Sequence, residues 1–197
     1  MPTPPGEEIV DLVDEENRVI GSATRREVRS RNLLHRGVGI ICWNSRRELY
    51  VHRRTLTKDV FPGMYDMLVG GVVGAGESYE SAARREIAEE LGIEGPEPTP
   101  LFHHLYQGPK NRSWVAVYEV TWDGPIQHQA SEVDWGTFLT LKDLVQKLDF
   151  WDWVPDGLEI FQRYLAQASR QSQVGSEPSS PPGGAGAGPP VNKKLKM

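Results

Sequence analysis

The apolar positions of this chain fall into short runs whose period changes several times. Glu8-Ile9-Val10-Asp11-Leu12-Val13 reads as a strand, and Asp14-Glu15-Glu16-Asn17 turns it into a second short strand around Val19-Ile20-Gly21. Thr24 is placed to cap a short helix running through Ser30. Gly37-Val38-Gly39-Ile40-Ile41-Cys42-Trp43 has the continuous apolar character of a buried strand, and a turn at Asn44-Ser45 pairs it with Glu48-Leu49-Tyr50-Val51-His52-Arg53. A further strand, rich in Gly, is expected over Met67 to Val73. The period then becomes helical. Ala83, Ile87 and Leu91 recur at a spacing of four, Ser78 supplies an N-cap, and Gly92 supplies a left-handed end. Strands follow at Leu101 to Tyr106 and at Ser113 to Val120. Thr140 caps a helix from Leu141 to about Asp149, and a last helix carries Leu158, Phe161 and Leu165. This order predicts an α/β protein: a mixed β-sheet with helices on either side, an α/β/α sandwich.

Composition adds boundaries. The 197 residues suit one core with loose ends. Residues 1–7 form a short Pro-rich lead, expected to be flexible. From about Ser169 the chain turns to Ser, Gln, Pro, Gly and Ala, which bury too little apolar surface to offset the entropy of ordering. The domain is therefore expected at 8–168, and a disordered tail at 169–197. A net charge of −5 argues against a nucleic-acid polymer as partner, because a backbone binder needs excess cation. The single cysteine, Cys42, forms no internal disulfide and fits a reducing, cytoplasmic setting. No apolar stretch approaches the roughly 18 residues of a membrane span.

The chemistry concentrates in one segment. Gly71-Val72-Val73-Gly74-Ala75-Gly76-Glu77 precedes Arg85-Glu86-Ile87-Ala88-Glu89-Glu90-Leu91-Gly92-Ile93. Glu86, Glu89 and Glu90 stand at relative positions zero, three and four, so they share one helix face and repel one another. A divalent cation turns that repulsion into attraction. A few carboxylates, with the rest of the shell left to water and phosphate, suit Mg²⁺, and Mn²⁺ has similar preferences. Arg85 lies beside the cluster and is able to hold a carboxylate through two bonds.

The full spacing is Gly, five residues, Glu, seven residues, then Arg-Glu-aliphatic-any-Glu-Glu-any-Gly-aliphatic. In this the sequence resembles the Nudix hydrolase family, with every specified position filled. The resemblance in layout covers roughly Glu8 to Leu165 and implies the Nudix-type sandwich. It implies that Glu86, Glu89 and Glu90 bind metal, with Glu89 and Glu90 as inner ligands, and that the Gly71 carbonyl also reaches it. It pairs Glu77 with Arg85. It implies attack of a metal-activated water on a phosphorus of a small-molecule diphosphate. The general base is expected on the signature helix or on a later loop. Glu132 stands in a loop before the Leu141 helix, where such a base resides.

A second resemblance lies in the front half. Leu12-Val13-Asp14-Glu15-Glu16-Asn17, Leu34-His35-Arg36, Val51-His52-Arg53-Arg54 and Phe61-Pro62-Gly63-Met64-Tyr65-Asp66 are similar to the isopentenyl-diphosphate isomerase-like branch. That enzyme needs a cysteine where this chain has Gly70 and a histidine where it has Val72. His35 reads as a hydrogen-bonded structural histidine. Arg53, Arg54 and Lys58 stand just before the signature and are expected to grip substrate phosphates. Trp43, Tyr65 and Trp114 are candidates for stacking on a base, or for the core. Phe150-Trp151-Asp152-Trp153-Val154-Pro155 suits either a cover over a pocket or a contact between two copies. Three readings stand: a metal-dependent diphosphate hydrolase, an isomerase, and a non-catalytic nucleotide-binding module.

Overall fold

The computed structural model describes residues 5–174. A single 3-10 turn at Pro5–Glu7 leads into an antiparallel pair, β1 (Ile9–Val13) and β2 (Val19–Thr24). Their connection is closed by Asp14, whose carboxylate accepts from the Glu16 and Arg18 N–H groups at 3.0 and 2.9 Å, while Asn17 takes the left-handed conformation. Thr24 caps α1 (Arg25–Arg31) by accepting from the Glu27 N–H at 3.2 Å. The long strand β3 (His35–Trp43) follows, then β4 (Leu49–Arg54), the two-residue β5 (Tyr65–Asp66) and α2 (Tyr79–Leu91). The chain continues through β6 (Thr99–Gln107), β7 (Arg112–Thr121), β8 (Val133–Leu139), α3 (Leu141–Lys147) and α4 (Pro155–Val174).

The strands form one mixed sheet. β3 and β7 run parallel, from His35 opposite Ser113 to Trp43 opposite Thr121, and every other strand pair is antiparallel. Both parallel strands are buried on both faces, as their unbroken apolar runs require. Val38, Ile40 and Cys42 of β3, with Ala116, Tyr118 and Val120 of β7, meet Ala82, Ala83, Ile87 and Leu91 of α2. The alternate residues, Ile41 and Trp43 with Val115 and Val117, meet Leu144 of α3 and Ile160 and Phe161 of α4. The expected sandwich is the one observed.

Three local expectations change. Met67 to Val73 is not a strand. It touches the sheet only through isolated bridges, Val69 to Ile40 and Val72 to Gly37, and Gly70 and Gly71 bend it between them. The loop expected around Glu132 gives way at Val133 to the strand β8, which pairs with β4. Gly136 and only partial burial hide its alternation; the Tyr50 ring and His128 occupy the space that a side chain at Gly136 would need. Helix α4 runs to Val174, beyond the expected domain end near Ser169; the Pro/Gly/Ser-rich sequence after it lies outside the described residues. No helix among the described residues is long and apolar enough to cross a membrane.

Candidate functional site

Helix α2 forms one wall of a cleft of about 580 Å³. Ser78 caps the helix by accepting from the Ser81 N–H at 3.1 Å, and Gly92 ends it at φ 64°. Between these ends, Ala83, Ile87 and Leu91 go into the core, and the neighbouring stripe carries Glu86 and Glu90 into the cleft. These two carboxylates are 7% and 4% exposed, whereas the Glu89 side chain is half exposed at the rim. The structure buries Glu86 and Glu90, one full turn apart, and brings all three signature glutamates to the cleft. Burial, and then the charge of Glu90, hold the Glu86 carboxyl above the usual range, with Arg85 opposing. Burial does the same to Glu90, against Lys58 and Arg54.

Arg85 organises this wall. Its Nε and Nη2 donate to the two oxygens of Glu77, both at 3.0 Å, and Nη2 also donates to the Val72 carbonyl at 3.0 Å. Its Nη1 donates to Glu86 at 2.7 Å and reaches Glu89 at 3.3 Å. Glu77 in turn accepts from the Gly74 N–H at 2.9 Å, so the glycine loop is tied to the helix. Burial pulls the Glu77 carboxyl up, but the bonds from Arg85 and Gly74 win and hold it below the ordinary range. Gly71 is required sterically: a Cβ there would run into the Glu86 carboxylate. Its carbonyl accepts from the Val38 N–H at 2.9 Å, which leaves one lone pair of that oxygen unspent.

The opposite wall is cationic. Lys58, on the loop after β4, forms an ion pair with Glu132 and lies 3.9 Å from Glu90. Burial, then the charge of Arg54, push the Lys58 amine down to about 8, against Glu90. The loop carrying Glu132 is fixed to the end of β4: the Thr55 N–H donates to the Glu132 carbonyl at 3.0 Å and the Thr55 hydroxyl to the Ser131 carbonyl at 2.9 Å. Arg54 lines the cleft and donates to the Val60 carbonyl through Nε and Nη2. Arg53 does not share that place, contrary to the expectation that the two act together. Adjacent strand residues point to opposite faces, and Arg53 is bound to Asp134 at 2.9 and 3.0 Å, outside the cleft lining. Asp134 is the residue skipped by a bulge between Arg53 and Arg54 in the β4–β8 ladder.

Other candidates also separate. Trp43 packs in the core against Phe161 and Tyr164. Tyr65 stacks on Trp151 with centroids 3.9 Å apart, so the aromatic run after α3 docks on β5, and of that run only Val154 lines the cleft. Trp114 is absent from the cleft as well. His35 is buried, bonded through Nδ1 to the Leu33 carbonyl at 2.9 Å, and lines the cleft. Sequence reasoning missed Arg25, Arg29, Asp66, Asn111 and Asp156, all of which line the cleft. The one available signal was the spacing of four between Arg25 and Arg29 on a capped helix.

The arrangement sets buried carboxylates against partly buried cations across one cleft, a layout suited to a metal on one side and phosphate on the other. Among the described residues no three carboxylate, imidazole or thiol groups already converge on a cation position. The donor set is nonetheless all oxygen, and among the described residues Glu90 pairs with no cation nearer than Lys58 at 3.9 Å.

Comparison with known proteins agrees. The NUDIX domain model matches residues 33–161. An uncharacterized Nudix hydrolase of Streptomyces coelicolor is 49% identical over 162 residues, covering 81% of this chain and 90% of the relative. An uncharacterized Nudix hydrolase of Pseudomonas aeruginosa is 39% identical over 158 residues, 80% of this chain and 94% of the relative. The crystal structure of DR0079 from Deinococcus radiodurans superposes with a TM-score of 0.68 at 30% identity, over 79% of this chain and 98% of that one. The NUDIX domain of Shewanella oneidensis NrtR, solved with ADP ribose, shares the fold at a TM-score of 0.54 and 18% identity, over 74% and 99%. A filled signature, a matching fold and these relatives give one result: the chain belongs to the Nudix hydrolase family.

Proposed function

We propose that this protein is a Mg²⁺- or Mn²⁺-dependent hydrolase of a small organic diphosphate, acting in the cytoplasm. The observation that carries the reading is the pairing across one cleft of buried Glu86 and Glu90 with the largely covered Lys58 and with Arg54. Two buried carboxylates one turn apart are unfavourable unless a cation joins them, and their oxygen-only chemistry fits a hard divalent ion. Glu86, Glu89 and Glu90 would hold it, with the spare lone pair of the Gly71 carbonyl. When bound, such an ion supplies a water of lowered pKa and neutralises phosphoryl oxygens.

The chain's own groups do the rest. Arg85 holds Glu86 and Glu89 in place and itself stays charged. Arg54 and Lys58 bind the phosphates, and Lys58 exchanges its contact with Glu132 for one with substrate. Glu132, released, accepts the proton of the attacking water on a carboxylate oxygen. The isomerase-like front half supports a kinship in scaffold and not in reaction. A side chain at Gly70 would collide with the Val38 carbonyl, so the cysteine of that reaction has no room.

The test is a panel of nucleoside diphosphates, nucleotide sugars, dinucleotides and isoprenoid diphosphates, with Mg²⁺ or with chelator. Release of phosphate or a monophosphate that stops with chelator is expected for some members. Isopentenyl diphosphate in deuterated water should give no labelled dimethylallyl product by NMR. Steady label incorporation would replace the hydrolase reading with the isomerase, and turnover of nothing would leave the binding module.

A further inference from the structure

Arg25 and Arg29 stand one turn apart on α1, and both line the cleft. Arg29 has no ion-pair partner among the described residues. Its Nη1 donates to Asn111 Oδ1 at 2.7 Å, and its Nε is buried with nothing to receive it. Asn111 donates through Nδ2 to Asp156 Oδ2 at 2.8 Å, so a neutral amide stands between this guanidinium and that carboxylate. Arg25 reaches Glu8 only at 3.5 Å, and its Nε is likewise buried and unpartnered. Burial, then the charges of Arg25 and Arg54, push the Arg29 guanidinium down to about 10. The carboxylates on this side do not cancel the charge. Asp66 is pushed up to about 7 by burial, and Asp156 is engaged by Asn111 and the Gly157 N–H.

Buried guanidinium donors without acceptors are unfavourable in the empty protein, and an anion satisfies them. An anion there shares one cleft with the carboxylates of α2: Arg25, Arg29, Arg54 and Lys58 line it together with Glu86 and Glu90. One diphosphate laid against Arg54 and Lys58 therefore presents its outer phosphate to α1. An unesterified outer phosphate carries about −1.5 to −2 charge and three acceptor oxygens, and esterification removes part of both.

Building on the hydrolase reading of this cleft, we propose that Arg25 and Arg29 form a subsite for a free terminal phosphate. The enzyme takes organic diphosphates whose outer phosphate is unesterified, in preference to internal diphosphate linkages capped on both sides.

The experiment is a calorimetric titration of the full-length protein, with Mg²⁺, using two probes whose P–C–P bridge does not hydrolyse: the monomethyl ester and the P,P′-dimethyl ester of methylenediphosphonate. Wild type should bind the monoester at least about 10-fold more tightly, the scale of one charge-assisted hydrogen bond. Arg29→Gln and Arg25→Gln should each bring the two probes to within about 2-fold of one another. Among the described residues the Arg25 side chain makes only the long 3.5 Å contact with Glu8, so Arg25→Gln decides alone if the Arg29 variant does not fold. Equal binding of the two esters by wild type overturns the proposal, as does a preference that survives in the folded variants. Neither titration depends on turnover. A protein that hydrolyses no diphosphate yet shows and loses this preference refutes the hydrolase and keeps the subsite. Hydrolysis with equal ester binding does the reverse.

Discussion

Helices α1 and α2 face the same cleft with like charges one turn apart, Arg25 and Arg29 on one, Glu86 and Glu90 on the other. They differ in how those charges are held. On α2 the carboxylates are organised by Arg85, which spreads one guanidinium over Glu77, Glu86 and Glu89. On α1 the guanidiniums are held by a neutral side chain and a distant carboxylate, and both Nε groups are left over. The acidic wall is thus partly neutralised within the protein, while the basic wall waits for an anion. The proposed roles divide in the same way, with reactivity assigned to α2 and selection to α1.

That division is breakable. The largest effect is expected from Glu90→Gln, which should lower kcat at least about 100-fold, the scale of losing a metal-activated group. Its melting temperature without metal should not fall, because a buried carboxylate is removed. Wild-type turnover in this variant would end the assignment of α2 to chemistry. Arg29→Gln should instead raise KM about 10-fold for a free-terminal diphosphate and move kcat by less than about 3-fold. A loss confined to kcat would mean that α1 belongs to the reacting centre.

Depressed and raised groups of the cleft should also respond to pH in opposite directions. His35, beside α1, is pushed down to about 4 by burial and then by Arg29. Its folded pKa lies below the unfolded value, so its contribution to stability is present above pH 6.5 and is lost as pH falls toward 4. The loss is on the order of 3 kcal/mol. Glu86 and Glu90 are raised by burial, so their contribution is complete below about pH 4.5 and is lost as pH rises through their raised range. Metal-free protein should therefore melt highest at mildly acidic pH. Glu86→Gln should flatten the fall on the alkaline side only; a change on the acid side would contradict the assignment.

A smaller contrast tests strand geometry. Arg54→Ala should raise KM about 10-fold, and Arg53→Ala less than about 2-fold, since only Arg54 lines the cleft. Smallest of all, truncation after Val174 should shift neither kcat/KM nor the melting temperature measurably, because that sequence is poor in large apolar residues. A loss of either would tie the tail to one of the two walls.

The sequence made α2 legible and α1 opaque for a physical reason. Glu86, Glu89 and Glu90 belong to a long fixed spacing, which chance does not fill. Arg25 and Arg29 sit in Arg-Arg-Glu-Val-Arg-Ser-Arg, where four arginines in one short helix read as a solvated face. What holds Arg29 in the cleft is Asn111, itself bonded to Asp156, and both are remote in sequence. The central strands were plain because their apolar runs need no partner to be recognised. β8 was not, since its polar residues and Gly136 are explained only by β4 beside it. Arg53 and Arg54 look equivalent until strand alternation separates them. Which glutamates lie deepest follows from how α2 rolls against the sheet, a rotation that spacing alone leaves free.

The parallel pairing of β3 with β7 joins residues 35–43 to residues 113–121, and this separation orders the events of folding. Helix α2 is a local product. Its cap and its Arg85–Glu77 clasp lie within a few turns of chain, and such a segment forms on the microsecond scale. The anion pocket at α1 has no local precursor. It exists only after β7 has crossed to β3, bringing Asn111 with it, and after α4 has delivered Asp156. Contacts of such high contact order close slowly. The register of the carboxylates is thus written within one helix, whereas the proposed discrimination depends on closure of the whole sheet.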